Sequence, residues 1–307
     1  MKIKFIVKPI LNKQKLKEYR EEFLKFKEEL QKREGKVEEV FTIAQGENNA
    51  QILAQKAIEE GFDRIVLVGG DGLLNEGVNG IIEGTQGKIP SDFVIGIIPT
   101  GTGNNLAKEI GIPKDIKKAF EIIKEEKTTS IDIGKVNDRY FANCVSFGFD
   151  AWINGIANLL KEKYQFLPKD ISYLIAALKE IIVKIPLYEV ELRGGEINLK
   201  DKVVLVAVTN GSSYGAIFKI NPGADPADGL LNVCLIQAVG KLRALMDIQK
   251  VIKGTHTTLP EVKMFKTSSL TISSPELLPY ETDGEVLTPQ KEYKISVFPQ
   301  ALKVLVP

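Results

Sequence analysis

Apolar residues follow two different spacings in the first 130 residues. Strand-like runs at 3–7, 64–68 and 93–98 alternate with stretches such as 16–30, in which apolar residues recur every three or four positions. A short continuous apolar run is typical of a strand buried on both faces, and the wider spacing is typical of an amphipathic helix. Their alternation predicts an α/β domain built on a doubly wound parallel sheet.

Beyond Thr129 this alternation gives way to short strand-like runs separated by turn residues. These runs lie at 131–136, 140–147, 187–192, 203–209, 230–237, 269–273 and 293–298, with helical stretches inside 150–184 and at 241–253. The pattern predicts a mainly antiparallel, sandwich-like second domain. We therefore expect domains at 1–130 and 131–298. Residues 299–307 either complete the first sheet or stay with the second domain, and the sequence leaves this open.

Length and charge agree with two ordinary globular domains. The chain has 307 residues, enough for two domains of about 150 each, and 44% of them are hydrophobic. Lysine and arginine total 41 against 40 acidic residues, so no basic field is available to hold a nucleic-acid backbone. Lys179, Glu180, Lys184 and Pro186 interrupt the most apolar stretch, 171–187, which therefore does not predict a membrane span.

The rare residue types limit the chemistry. His256 is the single histidine, so any Ser-His-Asp or Cys-His catalyst and any histidine metal site would have to be built around it, and we expect catalysis to use carboxylates instead. We expect His256 in a surface loop. Cys144 and Cys234 stand in strand-like runs, and we expect them to be small core residues. The absence of a CxxC pair and of a signal peptide at the start of the sequence predicts a reducing, cytoplasmic location.

Two glycine-rich turns each follow a buried strand and precede a helix. Gly69-Gly70-Asp71-Gly72 follows the run at 64–68, and Gly101-Thr102-Gly103-Asn104-Asn105 follows the run at 93–98. Both turns are expected at the carboxyl edge of the sheet, where ligands of open α/β sheets bind. Glycines allow main-chain N–H groups to approach phosphate oxygens, and the following helix adds its positive end. One such turn is commonly a tight connection only, but two at equivalent strand ends indicate a polyphosphate site.

The sequence around these turns resembles a known family. Val68-Gly69-Gly70-Asp71-Gly72-Leu73-Leu74-Asn75-Glu76 and the segment from Ile98 to Ala107 resemble the catalytic domain of the diacylglycerol and sphingosine kinases. Residues 131–136 with 147–150, 222–233 and 283–285 continue the family's blocks in the same order. The resemblance runs from about Thr42 to the C-terminus. It implies a NAD kinase-like nucleotide-binding domain and transfer of the γ-phosphoryl group of ATP to a lipid hydroxyl.

The resemblance also implies site residues. Those implied at the ATP phosphates and nucleotide are Thr42, Gly69, Gly70, Asp71, Gly72, Asn75, Gly101, Thr102 and Asn104. Glu285 is implied as the catalytic base, with Asp71 and Asp283 also assigned to catalysis. Asp225, Asp228 and the carbonyl oxygen of Leu230 correspond to a loop that holds a structural Mg²⁺, a cation that prefers oxygen ligands. The implied partner is a lipid such as diacylglycerol at a membrane surface, with peripheral membrane contact, and a homodimer is compatible with this interpretation.

The spacing of Asp283 and Glu285 suggests how a base would work here. In an extended segment, residues two apart point to one face, where repulsion between the carboxylates would raise the proton affinity of one of them. Such a group is suited to taking a proton from an alcohol. Without the family context, the pair is explained equally well as acids of a solvated turn.

Two departures from the family pattern leave alternatives open. Leu73 stands where the family has a threonine hydroxyl, and 8–12 reads Lys-Pro-Ile-Leu-Asn instead of Asn-Pro-x-Ser-Gly, although Lys13 or Lys15 would supply a cation nearby. A nucleotide-binding regulator without catalysis is therefore one alternative. A NAD kinase is the other, because that superfamily shares the Gly-Gly-Asp-Gly turn and a β-rich second domain.

Overall fold

The chain forms two compact units. The computed structural model describes residues 1–10, 12–43, 49–163, 169–215 and 217–307, and it describes their side chains except at 161–163 and 169–174. Unit 1 comprises Met1–Asp132 and Gln300–Pro307, and unit 2 comprises Ile133–Pro299.

Unit 1 alternates strands and helices along its length. In chain order its elements are β1 (Lys2–Val7), α1 (Lys13–Gln31), β2 (Lys36–Phe41), α2 (Ala50–Glu59), β3 (Arg64–Gly69), α3 (Asp71–Gly84), β4 (Val94–Pro99), α4 (Asn105–Glu109) and α5 (Ile116–Glu125). The strands pair in parallel in the order β2, β1, β3, β4. The parallel α/β architecture expected from the apolar spacing is confirmed.

The chain's last strand completes this sheet. β13 (Glu285–Leu305) starts in unit 2, and its end pairs in parallel with β4 through Lys303 with Val94 and Val304 with Ile95. The C-terminal residues therefore complete the first sheet, which is one of the two alternatives that the sequence left open.

The core of unit 1 lies on both faces of the sheet. The spacing of apolar residues in α1 buries one stripe, formed by Tyr19, Phe23, Phe26 and Leu30. Phe5 of β1 meets Phe23 edge-on, with ring centroids 5.1 Å apart, and stacks on Phe120 of α5 at 5.9 Å. β3 and β4 are buried on both faces. They pair residue by residue up to their carboxyl ends, where Gly69 is paired with Pro99.

Unit 2 is mainly antiparallel. β5 (Thr128–Val136) leads into it from unit 1, and its further elements are β6 (Arg139–Phe141), β7 (Cys144–Gly148), α6 (Phe149–Lys163), α7 (Lys169–Val183), β8 (Tyr188–Gly194), β9 (Ile197–Thr209), β10 (Leu231–Gln237), α8 (Lys241–Lys253), a 3-10 turn (His256–Thr258), β11 (Val262–Thr267), β12 (Ser269–Thr282) and most of β13. The pairing order is β11, β10, β9, β7, β12, β13, and β8 pairs with both β9 and β12. β9 and β12 are long enough to pair with β7 at one end and with β8 at the other.

The centre of unit 2 is aromatic. Tyr293 lies with its ring centroid 4.7 Å from those of Phe147 and Tyr280, and its hydroxyl donates a hydrogen bond to the Leu278 carbonyl at 2.5 Å. The tyrosine thus brings apolar area into the core while its polar atom is satisfied.

His256 and the two cysteines are buried. Cys144 and Cys234 are core residues, as expected, and burial raises the pKa of the Cys234 thiol to about 12. The expectation that His256 lies in a surface loop is wrong. Its side chain is buried, with Nε2 3.1 Å from the Ile220 carbonyl oxygen and 3.8 Å from the Cys234 sulfur. Burial lowers the pKa of His256, which favours the neutral ring.

Candidate active site

The two glycine turns of unit 1 pack backbone to backbone. The Thr100 N–H donates to the Gly69 carbonyl at 2.9 Å. A Cβ atom added at Gly101 would lie 2.5 Å from the Cα of Gly70, and one added at Gly70 would lie 3.1 Å from the Cα of Gly101. Contact this close excludes a side chain at Gly101, so glycine is required there for the turns to meet.

Asp71 ties the two turns together. Its carboxylate accepts hydrogen bonds from the Asn105 backbone N–H at 2.7 Å and from the Asn105 side-chain amide at 3.2 Å. A Cβ at Gly103 would fall 2.5 Å from the same carboxylate, so the second turn wraps closely around it. Burial raises the pKa of Asp71, against the lowering effect of backbone hydrogen bonds from residues 104–106. The carboxylate is therefore engaged in joining the turns.

Gly72 and Thr102 are the exposed positions of the paired turns. A Cβ added at Gly72 would have no atom within 4 Å, so the space above it is open. The first hydrogen bond within α3 runs from the Leu74 N–H to the Gly70 carbonyl, and the Gly72 N–H lies before it at the positive end of the helix. Lys114, which the sequence argument did not identify, adds a cation 3.4 Å from the Thr102 carbonyl.

Other residues predicted to bind the nucleotide are less accessible. Asn75 is buried within α3, where Asn79 donates to its backbone carbonyl at 2.9 Å. Asn104 has a left-handed backbone, with φ of 51°, and its amide donates to the Gly101 carbonyl at 2.7 Å, which closes the second turn. Thr42 is nearly buried and donates its backbone N–H to the Val7 carbonyl.

Leu73 explains one departure from the family pattern. The side chain is buried, and a Cβ at Gly69 would lie 2.5 Å from the Leu73 Cδ2. The leucine therefore fills the space beneath the first turn. The other departure is the segment 8–12. Its Asn12 accepts hydrogen bonds from the N–H groups of Gln14 and Lys15 and caps α1, while Leu11 lies outside the described residues.

In unit 2, Asp283 and Gly284 form a two-residue hairpin between β12 and β13. Thr282 pairs with Glu285 across it, and both turn residues have positive φ angles of 47° and 88°. These angles are characteristic of the hairpin turn that Asp-Gly favours. The expectation of an extended segment with both carboxylates on one face is therefore wrong, because the backbone reverses between Asp283 and Glu285.

The two acids of this hairpin have different surroundings. The Asp283 carboxylate is nearly buried and accepts three backbone hydrogen bonds, from the N–H groups of Ala142 at 2.8 Å, Asn143 at 3.0 Å and Cys144 at 2.8 Å. Glu285 is 48% exposed, and its Oε2 lies 2.6 Å from the Arg139 guanidinium. Asp283 anchors the hairpin, whereas Glu285 is accessible to a reacting group.

A buried polar cluster, missed by the sequence argument, supports the hairpin from α6. The Asn154 amide donates to the Glu281 carboxylate and, at 3.2 Å, to the Gly284 carbonyl. Both partners are acceptors, which sets the amide orientation. The Ser146 hydroxyl lies 3.1 Å from Glu281 and 2.5 Å from Asp150. Gly284, which precedes Glu285, is thereby also held by a side chain of α6.

The predicted Mg²⁺ loop contains two exposed acids. Asp225 accepts from the Ala227 N–H and Asp228 from the Leu230 N–H, each at 3.0 Å, while Lys266 pairs with Asp228 at 2.8 Å. Within the described residues, no group of three or more His, Cys, Asp and Glu side chains converges on a metal site.

Unit 2 also contains an apolar cavity of about 140 Å³ between helices α6 to α8 and the sheet. Its wall includes Phe149, Ile181, Tyr214, Ile248 and Leu259. Among the described helices, none is both long enough and apolar enough to cross a lipid bilayer.

Both units match known protein families. Residues 5–136 match the family described as "Diacylglycerol kinase catalytic domain", and residues 143–306 match the "YegS C-terminal NAD kinase beta sandwich-like domain". A diacylglycerol kinase of Mycobacterium tuberculosis (strain CDC 1551 / Oshkosh) is 32% identical over 267 residues, which cover 85% of this chain and 82% of the relative. One from Staphylococcus carnosus (strain TM300) is 32% identical over 77% of this chain and 74% of its own length.

The fold agrees with these sequence matches. A crystal structure of a diacylglycerol kinase from Bacillus anthracis str. Sterne superimposes with a TM-score of 0.72 at 21% identity, covering 100% of this chain and 97% of the other. The chain belongs to the diacylglycerol kinase family. The predictions of a lipid kinase and of its α/β plus sandwich-like fold are confirmed.

Proposed function

We propose that this protein transfers the γ-phosphoryl group of ATP to the hydroxyl of diacylglycerol. Unit 1 binds ATP, and unit 2 binds the lipid. The observation that carries the proposal is the pair of glycine turns at adjacent strand ends, joined by Asp71 and open to solvent at Gly72 and Thr102. Phosphoryl transfer depends mainly on positioning and on neutralising phosphate charge, which such a cradle provides.

In this proposal the residues of the cradle have different tasks. The N–H groups at Gly72 and the start of α3 bind phosphate oxygens, because the helix presents its unpaired donors and positive end there. Asp71, Gly101 and Asn104 act indirectly by holding the turns against each other. Asn75 supports α3 from its buried side.

Glu285 is the proposed general base. Its carboxylate is accessible, and the Asp283 anchor, the Asn154 hydrogen bond and the Arg139 ion pair limit its freedom. It takes the proton of the acceptor hydroxyl as the phosphoryl group is transferred. A positioned base contributes about 10²- to 10⁴-fold in rate, so the cradle and its cations must supply the larger part of catalysis.

The apolar cavity of unit 2 is the proposed site for part of an acyl chain. An apolar cavity of about 150 Å³ holds a ligand the size of benzene, so about 140 Å³ admits a few carbons and leaves the rest of the chain outside. The protein therefore works at a membrane surface, as a peripherally bound cytoplasmic enzyme. A homodimer stays a prediction, which the mass of the protein in solution tests.

Mg²⁺ is the proposed metal. Asp225, Asp228 and the Leu230 carbonyl form an all-oxygen donor set in one loop, which suits this cation. When bound, the ion supplies positive charge that orders the loop, and Lys266 supplies part of that charge without it. Titration of the metal-free protein with MgCl₂ should raise its melting temperature, and Asp225→Asn should remove that rise.

The decisive experiment compares acceptors. Purified protein is incubated with labelled ATP, MgCl₂ and, separately, diacylglycerol, a sphingoid base and NAD. We expect label on diacylglycerol, and Glu285→Gln should lower kcat by about 10²- to 10⁴-fold with little change in the KM for ATP.

Glu292→Gln, at another exposed acid of β13, is the matched control and should keep full activity. Transfer to NAD would select the NAD kinase alternative, and tight ATP binding without transfer to any acceptor would select the regulator. Full activity of Glu285→Gln would remove the base from the mechanism.

A further inference from the structure

Helix α8 lies on the surface of unit 2 with an amphipathic sequence but no buried residue. A helix of a globular protein normally covers its apolar stripe against the core. Here Leu242 is 73% exposed and Met246, one turn later, is 60% exposed. Ala244, Ile248 and Val251 on another side of the same helix line the apolar cavity.

The end of α7 continues this exposed apolar surface. Ile175, Leu178 and Ile182 follow each other at helical spacing and are exposed, as are Val183 and Leu187 beyond them. The Lys241 ammonium donates to the carbonyls of Ile182 at 2.9 Å and Val183 at 2.8 Å, which places the start of α8 against the end of α7. The exposed residues of both helices therefore form one patch, the docking face: Ile175, Leu178, Ile182, Val183, Leu187, Leu242 and Met246.

The docking face adjoins the cavity. Ile181 and Ile185 line the cavity, and they alternate along the chain with the exposed Ile182, Val183 and Leu187. α7 is thus apolar on two sides, one towards the cavity and one outward. A soluble protein rarely exposes a continuous apolar patch of this kind unless it binds another surface.

The charge around the docking face identifies its occupant. α8 has the cations Lys241, Arg243, Lys250 and Lys253 against one acid, Asp247. Asp247 pairs with Arg243 and Lys250, and Glu261 also pairs with Arg243, but the cations of the helix still outnumber these two acids. Lys179 and Lys184 are exposed beside the α7 part of the patch. A helix with an apolar face and a cationic flank is typical of peripheral binding to anionic lipid, where the apolar side chains enter the interface and the cations meet the head groups.

We propose that the docking face binds the surface of an anionic lipid bilayer and holds the adjoining apolar cavity at the membrane. This rests on the proposed function in one respect only, that the cavity receives an acyl chain. A diacylglycerol molecule would then enter unit 2 without leaving the apolar environment of the bilayer for water. The exposed apolar side chains lose their contact with water in the bound state, which favours binding.

The test uses vesicle sedimentation with the full chain. Vesicles of phosphatidylcholine alone are compared with vesicles that contain phosphatidylglycerol, at low and high salt. We expect binding to the anionic vesicles, weakened by salt, and the double variant Leu242→Glu/Met246→Glu should reduce it at least tenfold. Leu24→Glu, at an exposed leucine of α1 in unit 1, is the matched control and should bind as the unaltered chain does.

A second readout separates docking from catalysis. The double variant should lose phosphorylation of long-chain diacylglycerol in vesicles but keep phosphorylation of dihexanoyl diacylglycerol dispersed in water. Unchanged vesicle binding by the variant would overturn the docking proposal, and so would conversion of a dimer to a monomer with vesicle binding retained. If the unaltered chain binds vesicles but phosphorylates neither substrate, the proposed function fails and the docking face stands.

Discussion

The glycine cradle of unit 1 and the acid hairpin of unit 2 are built in opposite ways. The cradle consists of backbone, held together by close packing of Gly70 on Gly101 and by the Asp71 carboxylate. The hairpin consists of side chains, whose partners come from residues 139–154, far away in the chain. A backbone site depends on the absence of side chains, whereas a side-chain site depends on a network that positions one accessible group. Substitutions should therefore damage the two sites in different ways.

Crowding the contact between the turns should have the largest effect. Gly101→Val places atoms within 2.5 Å of the Gly70 backbone, so the turns must separate. We expect a stability loss of about 1–3 kcal/mol, the usual range for overpacking, together with loss of ATP binding. Chemical denaturation and calorimetric titration with ATP measure the two effects.

Gly72→Ala is the matched substitution in the same cradle. A Cβ at Gly72 meets no atom within 4 Å, and α3 should gain about 0.5–1 kcal/mol from alanine. ATP affinity should still fall, because the added methyl group occupies the proposed phosphate space. Equal destabilisation by both substitutions would contradict the view that the contact between the turns is the vulnerable point.

Removing the Asp283 carboxylate, which anchors the hairpin, should have the second largest effect. Asp283→Ala leaves the N–H groups of Ala142, Asn143 and Cys144 without their carboxylate partner. Because an unsatisfied buried donor is costly, we expect a loss of about 2–3 kcal/mol in unfolding free energy and a fall in kcat with the KM for ATP unchanged. Denaturant titration and steady-state kinetics check this.

Asp283→Asn retains an acceptor oxygen for part of this hydrogen bonding and should lose less stability than Asp283→Ala. A change in the KM for ATP equal to the change in kcat would show that the two sites are not built independently.

The smallest expected effect is a dependence of stability on pH through His256. Burial lowers the pKa of this ring in the folded chain below its ordinary value of 6.5. As pH falls, the ring of the unfolded chain is therefore protonated at a higher pH than the ring of the folded chain. The contribution of His256 to the free energy of unfolding is fully present above about pH 6.5 and decreases as pH falls towards the folded-state pKa. Denaturation midpoints measured from pH 8 to pH 5 should show this decrease, and His256→Gln should reduce the slope between pH 6.5 and 5. An unchanged slope would assign the pH dependence to other groups.

Local sequence rules predicted unit 1 well because its signals are short-range. Continuous apolar runs, helical spacing and glycine turns directly after strands are sufficient to predict a parallel sheet with both turns at one edge. The same rules were wrong for the acids, because Asp-Gly favours a tight turn over the extended segment that the two-residue spacing suggested. They were also wrong for His256, whose neighbours in sequence are polar but whose neighbours in space are Ile220 and Cys234.

The sequence alone determined the family, the order of strands and helices, and the residue types available for chemistry. All of these depend on local pattern and on motifs that are contiguous in the chain. Only the tertiary structure decided that Asp71 joins the turns, that Leu73 packs beneath Gly69, that Asp283 anchors while Glu285 stays accessible, and that Leu242 and Met246 of α8 stay exposed. Each of these is a contact, or a missing one, between segments distant in sequence, and the spacing of residues along a chain does not encode such contacts.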